Sequence, residues 1–448
     1  MKDSYDLLVR GGTVVPMVRD REWFRGDVLV RDGRIAAVTR GPAADIEAER
    51  VVDAGHGLVL PGFVQGHVHV VQSLLRHRAD GLELLDWLKK RTWPYEASLD
   101  GDDVEAAAEL GIAELLCGGT TTALDFGTTH DHGRVFEAAE RLGIRLLSGK
   151  THMDLGDGCP AALVEDLDSS LAQAEELGTR WHGAAGGRLR YAVAPRFALS
   201  CTRPMLEGCA ALARDNGWLL QSHASENAGE VEEVRHLTGL GNIEYLHSAG
   251  LTGEDVVLAH GVHLGAEERS LLAGTGTRIC HCPGANLKLA SGIADLPALL
   301  AAGVPVALGA DGPPCNNRLS VFHEMALAGT LHNLRHGPRA IDPWTVLAMA
   351  TREGARALGL GKEVGVLEVG YCADLTVLDA SAWAMQPDGD PAARIVFGAT
   401  AGDVRHAVVG GRPVVENREL LTADAAAITD KVQKATRAVE ARMEECLA

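Results

Sequence analysis

Eight short apolar runs pass through the middle of the chain and stop on polar residues, at roughly His69, Asp125, Lys150, Arg196, His223, His260, His281 and Asp311. Helical patterns lie between most of them. Strands that alternate with helices are joined by crossovers and pair in parallel. Eight such units over about 300 residues suit a closed (β/α)8 (TIM) barrel better than an open doubly wound sheet. No Gly-x-Gly-x-x-Gly follows the first strand, which further weakens a dinucleotide-binding fold. In "DDVEAAAELGIAELLCGG", Val104, Ala108, Ile112 and Leu115 recur at helical spacing and form one packing face. Asp102 or Asp103 is expected to cap that helix, and Gly118-Gly119 to end it.

The two ends of the chain read differently. "DLLVRGGTVV" runs into Gly11-Gly12, and "GDVLVRDGRIAAV" carries Asp32-Gly33 between two apolar runs, a hairpin signal. A similar β-rich stretch returns at "GVLEVGYCADLTVLD" and "VRHAVVGGRPVVENREL", with Gly410-Gly411 as its turn. The expected organisation is a small β-sandwich domain built from both termini (1–60 and 365–420) around a barrel (61–364). A polar-faced helix (421–448) follows.

At 448 residues the chain is long enough to bury a large core, and 46% hydrophobic with 23% charged residues is a globular balance. Aromatics are only 4%, so aliphatic side chains must fill the core. A net charge of -19 argues against nucleic acid or an anionic membrane as partner. No apolar stretch approaches ~20 residues, and Met1 to Arg10 lacks an apolar signal core. A cytoplasmic location is expected. The nine cysteines are scattered, without zinc spacing, and read as mostly buried thiols.

The polar strand ends carry the chemistry. Every strand of such a barrel opens its C-terminal end on one face, where active sites sit. His67 and His69 are two residues apart on one strand and point the same way. Gly62 and Gly66 beside them permit close backbone approach. His223, His260 and Asp311 end three further runs. Three imidazoles and a carboxylate (His67, His69, His223, Asp311) suit one divalent ion, Zn²⁺ first, with Fe²⁺ or Mn²⁺ also compatible. Such an ion makes water nucleophilic at neutral pH. Asp311 is placed to be ligand and base together. Glu226, three residues past His223, is the candidate proton donor, and His260 the partner of the developing oxyanion.

The order His-x-His, His-x-x-Glu, His, Asp, with "PGFVQGHVH", resembles the amidohydrolase superfamily over nearly the whole chain, in the branch that deaminates aminopurines and related rings. The fourth run ends in Arg196 where dinuclear members offer a lysine. This implies a mononuclear site, with Lys150 read as structural or as a support behind the ligands. "WLKKRTWPYEA" and "LGADGPPCNNRLSVFHEM" resemble deaminases of 5'-deoxyadenosine, methylthioadenosine and S-adenosylhomocysteine, which implies that Glu96 holds ribose hydroxyls. "APRFALSC", "HASEN" and Gln72 resemble guanine deaminase instead. That resemblance implies that Arg196 and Gln72 grip a ring oxo group, with Glu226 also at the substrate. A plainer reading pairs Arg196 with a nearby carboxylate and leaves Gln72 to pack. A triazine-type amino- or chlorohydrolase is also compatible with these residues, and a non-catalytic scaffold is the remotest reading. The expected partner is a small-molecule substrate, and relatives of this kind imply a homo-oligomer.

Overall fold

The computed structural model describes residues 5–43 and 46–447. Eight parallel strands make the barrel: β1 (Phe63–Val68), β2 (Thr120–Phe126), β3 (Arg145–Gly149, extended by Thr151–His152), β4 (Leu189–Pro195), β5 (Leu219–Ala224), β6 (Val256–His260), β7 (Arg278–His281) and β8 (Val306–Leu308). They pair in chain order from β1 to β8. Closure comes from just beyond β8, where Val68 bridges Asp311 and the Asp311 N–H donates to the His67 carbonyl at 3.1 Å. Each strand ends at or within three residues of the polar residue expected there, the widest gap being Leu308 against Asp311. The strands are buried along nearly their whole length, as parallel strands covered by helices must be.

Close approach between strands explains two of the glycines. A Cβ on Gly66 would lie 2.8 Å from Ala307 Cβ, and one on Gly62 would meet the Thr121 side chain at 2.0 Å. The helix after β1 runs Gly101–Cys117, starting earlier than expected. Asp100, in extended conformation, is the cap: its carboxylate accepts from the N–H groups of Asp102 and Asp103, and the Asp103 side chain accepts from the Asp100 N–H. The reciprocal bond to Asp103, three residues on, selects Asp100 over the expected Asp102 or Asp103.

Nine strands from both ends form a second, mixed sheet, eight of them hydrogen-bonded in a row and the ninth, Ala48–Asp53, paired to Tyr5–Val14 off that row. Gly57–Pro61 and Leu375–Asp379 pair antiparallel and join the N- and C-terminal contributions. Alternate residues divide between two cores. Val59, Leu375 and Val377 join Leu7, Val9, Val28 and Val30 in the sheet's own apolar cluster, whereas Leu58 and Leu60 pack into the barrel's core. Asp32-Gly33 and Gly410-Gly411 both make two-residue turns with positive φ at both positions, the type I′ geometry that suits strand twist. Gly11-Gly12 does not end a strand. Tyr5–Val14 is continuous there, with a register shift between Val9 and Gly12. A buried ion pair joins the units: Arg145 of β3 donates to Asp374 through Nε (2.8 Å) and Nη2 (3.2 Å). The last helix, Ala425–Leu447, lies against Gly101–Cys117, with Lys431 paired to Glu105 and Glu109. Among the described residues, no helix is long and apolar enough to cross a membrane. The eight described cysteines are free thiols, five of them buried.

Candidate active site

The C-terminal ends of the barrel strands surround a cleft. Its polar wall holds His69, His223, Glu226, His260 and Asp311, with Gln72 and Arg196 beside them. Its apolar wall is Leu84, Trp87, Leu88, Phe197 and Leu289.

Four of the predicted groups meet at one point. An Asp311 carboxylate oxygen lies 3.4 Å from Nε2 of both His67 and His69. The His69 and His223 Nε2 atoms are 3.2 Å apart. The His223 Nδ1 faces the Arg196 carbonyl at 2.7 Å, so Nδ1 carries the proton and Nε2 turns a lone pair into the cleft. Phe126 packs against the His223 ring with centroids 4.5 Å apart, and holds an apolar floor beneath the imidazoles. Asp311 and His260 both take positive φ, 60° and 77°, a strained backbone that persists only where the surroundings enforce it.

Burial lowers the basicity of His67, His69 and His223, and for His69 and His223 their neighbouring imidazoles add to the effect. Burial alone would raise the Asp311 carboxyl. The close approach of His67, with the nearby His260 and His69 rings, outweighs it and holds Asp311 well below the carboxylate range. Neutral imidazoles around an ionised carboxylate are the donor set of a divalent ion. The buried His67 Nε2 has no hydrogen-bond partner, and subsets of His67, His69, His223, His260, Glu226 and Asp311 bring their ligand atoms within 4.8 Å of one another. These residues fit a metal.

Opposite the cluster, Glu226 Oε2 lies 3.4 Å from His260 Nε2, and His260 Nε2 lies 3.9 Å from Asp311. Burial, then the charges of Asp311 and Glu230, push the Glu226 carboxyl well up, against a weak bond from Ser291. His260 Nδ1 faces the Asn286 side-chain oxygen at 2.9 Å, which leaves Nε2 toward the cleft.

The substrate-side candidates come together in an arrangement the sequence left divided. Arg196 donates to Glu96 through Nη1 (2.5 Å) and Nη2 (3.2 Å), and Gln72 Nε2 donates to the same carboxylate at 3.1 Å. The carboxylate that pairs with Arg196 is therefore Glu96 itself. Arg196 and Gln72 line the cleft, whereas Glu96 sits behind them. Lys150 stays apart, buried against Glu165 and Ser170.

Several lining residues were not singled out from the sequence. Glu230 accepts from the N–H groups of Glu226 and Asn227, and the Asn-x-x-Glu spacing of a capping box would have found it. Leu84, Trp87 and Leu88 share one helical face in "LLDWL", a pattern that reads as ordinary core. Asn286 and Ser291 carry no comparable signal.

Residues 58–414 match the amidohydrolase family. The chain is 38% identical over 416 residues to a 5-methylthioadenosine/S-adenosylhomocysteine deaminase of Symbiobacterium thermophilum, covering 92% of this chain and 94% of the relative. It is 35% identical to a 5'-deoxyadenosine deaminase of Methanothermobacter thermautotrophicus, covering 93% and 95%. The crystal structure of an adenosine deaminase from Xanthomonas campestris with bound zinc superposes with a TM-score of 0.92 at 31% identity, over 98% of this chain and all of that one. The chain thus belongs to the amidohydrolase family and is a metal-dependent hydrolase of carbon–nitrogen bonds.

Proposed function

We propose that the chain is an aminohydrolase that replaces the 6-amino group of a purine nucleoside by oxygen and releases ammonia, with one zinc ion held by His67, His69, His223 and Asp311. One observation carries the reaction type: a carboxyl raised by burial, Glu226, faces an ionised carboxylate, Asp311, across a cleft that also presents His260. Nucleosides such as 5'-deoxyadenosine, methylthioadenosine and S-adenosylhomocysteine are the substrates named for relatives that match over nearly the full chain.

A divalent ion held by His67, His69, His223 and Asp311 would supply an acidified water beside the ring. The chain's own residues do the rest. Protonated Glu226 donates to the ring nitrogen next to the amino-bearing carbon, which makes that carbon electrophilic. Asp311 takes a proton from the attacking water, and His260 meets the oxygen as charge develops on it. The proton on Asp311 then passes to the amino group, which leaves as ammonia as the C–N bond breaks, and the remaining hydroxyl proton returns to Glu226 as the 6-oxo group forms. Leu84, Trp87, Leu88 and Phe197 give the ring an apolar bed and exclude bulk water.

A second reading, an amino-oxo ring such as guanine, is favoured by the Glu96 contacts. The Glu96 carboxylate is engaged by Arg196 and Gln72, and both of those residues line the cleft. Arginine has no acceptor and suits a ring oxygen better than an amino group. Because Glu96 holds Arg196, a Glu96→Ala variant disturbs both readings, and the wild-type enzyme is the discriminating one. Ammonia release is to be compared for 5'-deoxyadenosine, methylthioadenosine, S-adenosylhomocysteine, adenosine and guanine. A kcat/KM for guanine far above every nucleoside overturns the nucleoside assignment and leaves the second reading standing.

A further inference from the structure

We propose that Asp125, the penultimate residue of β2, is a positioning residue that sets the geometry of the His67-Val68-His69 strand end. It is fully buried and does not line the cleft. Oδ1 accepts the Val70 N–H at 2.9 Å. Val70 directly follows His69 and opens the 3-10 turn Val70–Leu75, which carries Gln72, and His69 itself offers that turn no side-chain cap. The first N–H groups of a helical turn have no partner within it, so the Asp125 carboxylate caps the turn from the neighbouring strand. In the β1–β2 register Asp125 is paired with Val68, the residue between the two imidazoles.

The carboxylate is itself held from the other side. Ser148 on β3 donates to Oδ2 at 2.5 Å, and the same hydroxyl meets His132 Nε2 at 3.0 Å. With the hydroxyl hydrogen directed at Asp125, His132 must donate from Nε2, so the donations from His132 through Ser148 and from the Val70 N–H converge on the Asp125 carboxylate. The Asp125 backbone carbonyl also accepts from Gln221 Nε2 at 2.8 Å, two residues before His223. One buried residue thus ties together the strand ends that present His67, His69 and His223. Its side chain anchors the first pair and its main chain the third.

This rests on the metal assignment above, and the test separates the two. Zn²⁺ affinity of the loaded full-length protein is measured by chelator competition, alongside the melting temperature of the metal-stripped protein. Asp125→Ala is expected to weaken Zn²⁺ binding about 10–100-fold, the usual effect of losing a group that orients a ligand. Asp125→Asn retains an acceptor for Val70 N–H and should recover most of that loss. Ser148→Ala frees the second oxygen and should give an intermediate loss, and it decides the matter with the Asn variant if Asp125→Ala does not fold. Affinity equal to wild type in Asp125→Ala, or in Ser148→Ala when that variant decides, overturns the proposal. So does a fall in melting temperature with no change in affinity. If His69→Ala also binds Zn²⁺ as tightly as wild type, the metal assignment fails instead.

Discussion

Removing the charge of Glu96 is expected to destabilise the fold before it reports on substrate. The Arg196 and Glu96 side chains are 4% and 3% exposed, and Arg196 makes its ion pair with Glu96 alone among the described residues. Glu96→Gln preserves shape but offers one oxygen where two N–H groups of Arg196 and one of Gln72 now converge, and it turns an amide N–H₂ toward a donor. A buried guanidinium is left without a counter-charge. Breaking a buried pair from one side costs about 3–5 kcal/mol, because the remaining charge stays desolvated. Arg196→Met removes the cation instead, and the double variant Glu96→Gln/Arg196→Met removes both charges together. Urea unfolding of the metal-stripped protein gives the four corners of the cycle. The double variant should be more stable than the sum of the single losses by about 2 kcal/mol or more. Additive losses, or a Glu96→Gln midpoint equal to that of wild type, refute the view that Glu96 acts mainly as the counter-ion of Arg196. They would return Glu96 to the role of a free ribose-binding carboxylate.

Substituting His69 or Asp311 by Ala should remove the bound ion and the activity while leaving most of the fold, and elemental analysis of wild type should find one ion per chain; two ions would rule out the mononuclear site. Glu226→Gln should keep its ion and lose roughly 10²–10⁴ in kcat, the range for general acid–base catalysis, whereas loss of metal in that variant would make Glu226 a ligand. Burial, with smaller effects from His332 and His260, lowers His281 to about 3, below the ordinary 6.5. The unfolded chain therefore binds the extra proton between these values, and stability present above about pH 6.5 falls as the pH drops toward about 3. In His281→Gln the slope of stability against pH in that window should flatten by up to about 1.4 kcal/mol per pH unit. An unchanged slope would show that His281 is protonated in the fold.

The barrel was legible because its signal is repeated: each strand is a short apolar run stopped by a polar residue, and the stop marks the face on which that residue is presented. His67, His69, His223, His260 and Asp311 could be gathered from chain positions far apart by this rule alone, since strand ends share one rim whatever their sequence separation. The rule assigns a residue to the rim and says nothing about its neighbours there. Arg196 and Glu96 therefore remained separate arguments for rival substrates until the fold put one carboxylate in the grip of the other's guanidinium. Asp125 was legible as a strand end but not as a cap, because its partner Val70 offers only a backbone N–H, a group every non-proline residue carries. Asn286 was hidden for a related reason: its partner His260 lies on another strand, and the short helix Pro283–Lys288 that bears it has no periodicity to read. Side chains that touch the cleft are thus encoded by where runs stop. The groups that hold them are encoded by which runs become neighbours, and that information resides in the closed barrel rather than in any local segment.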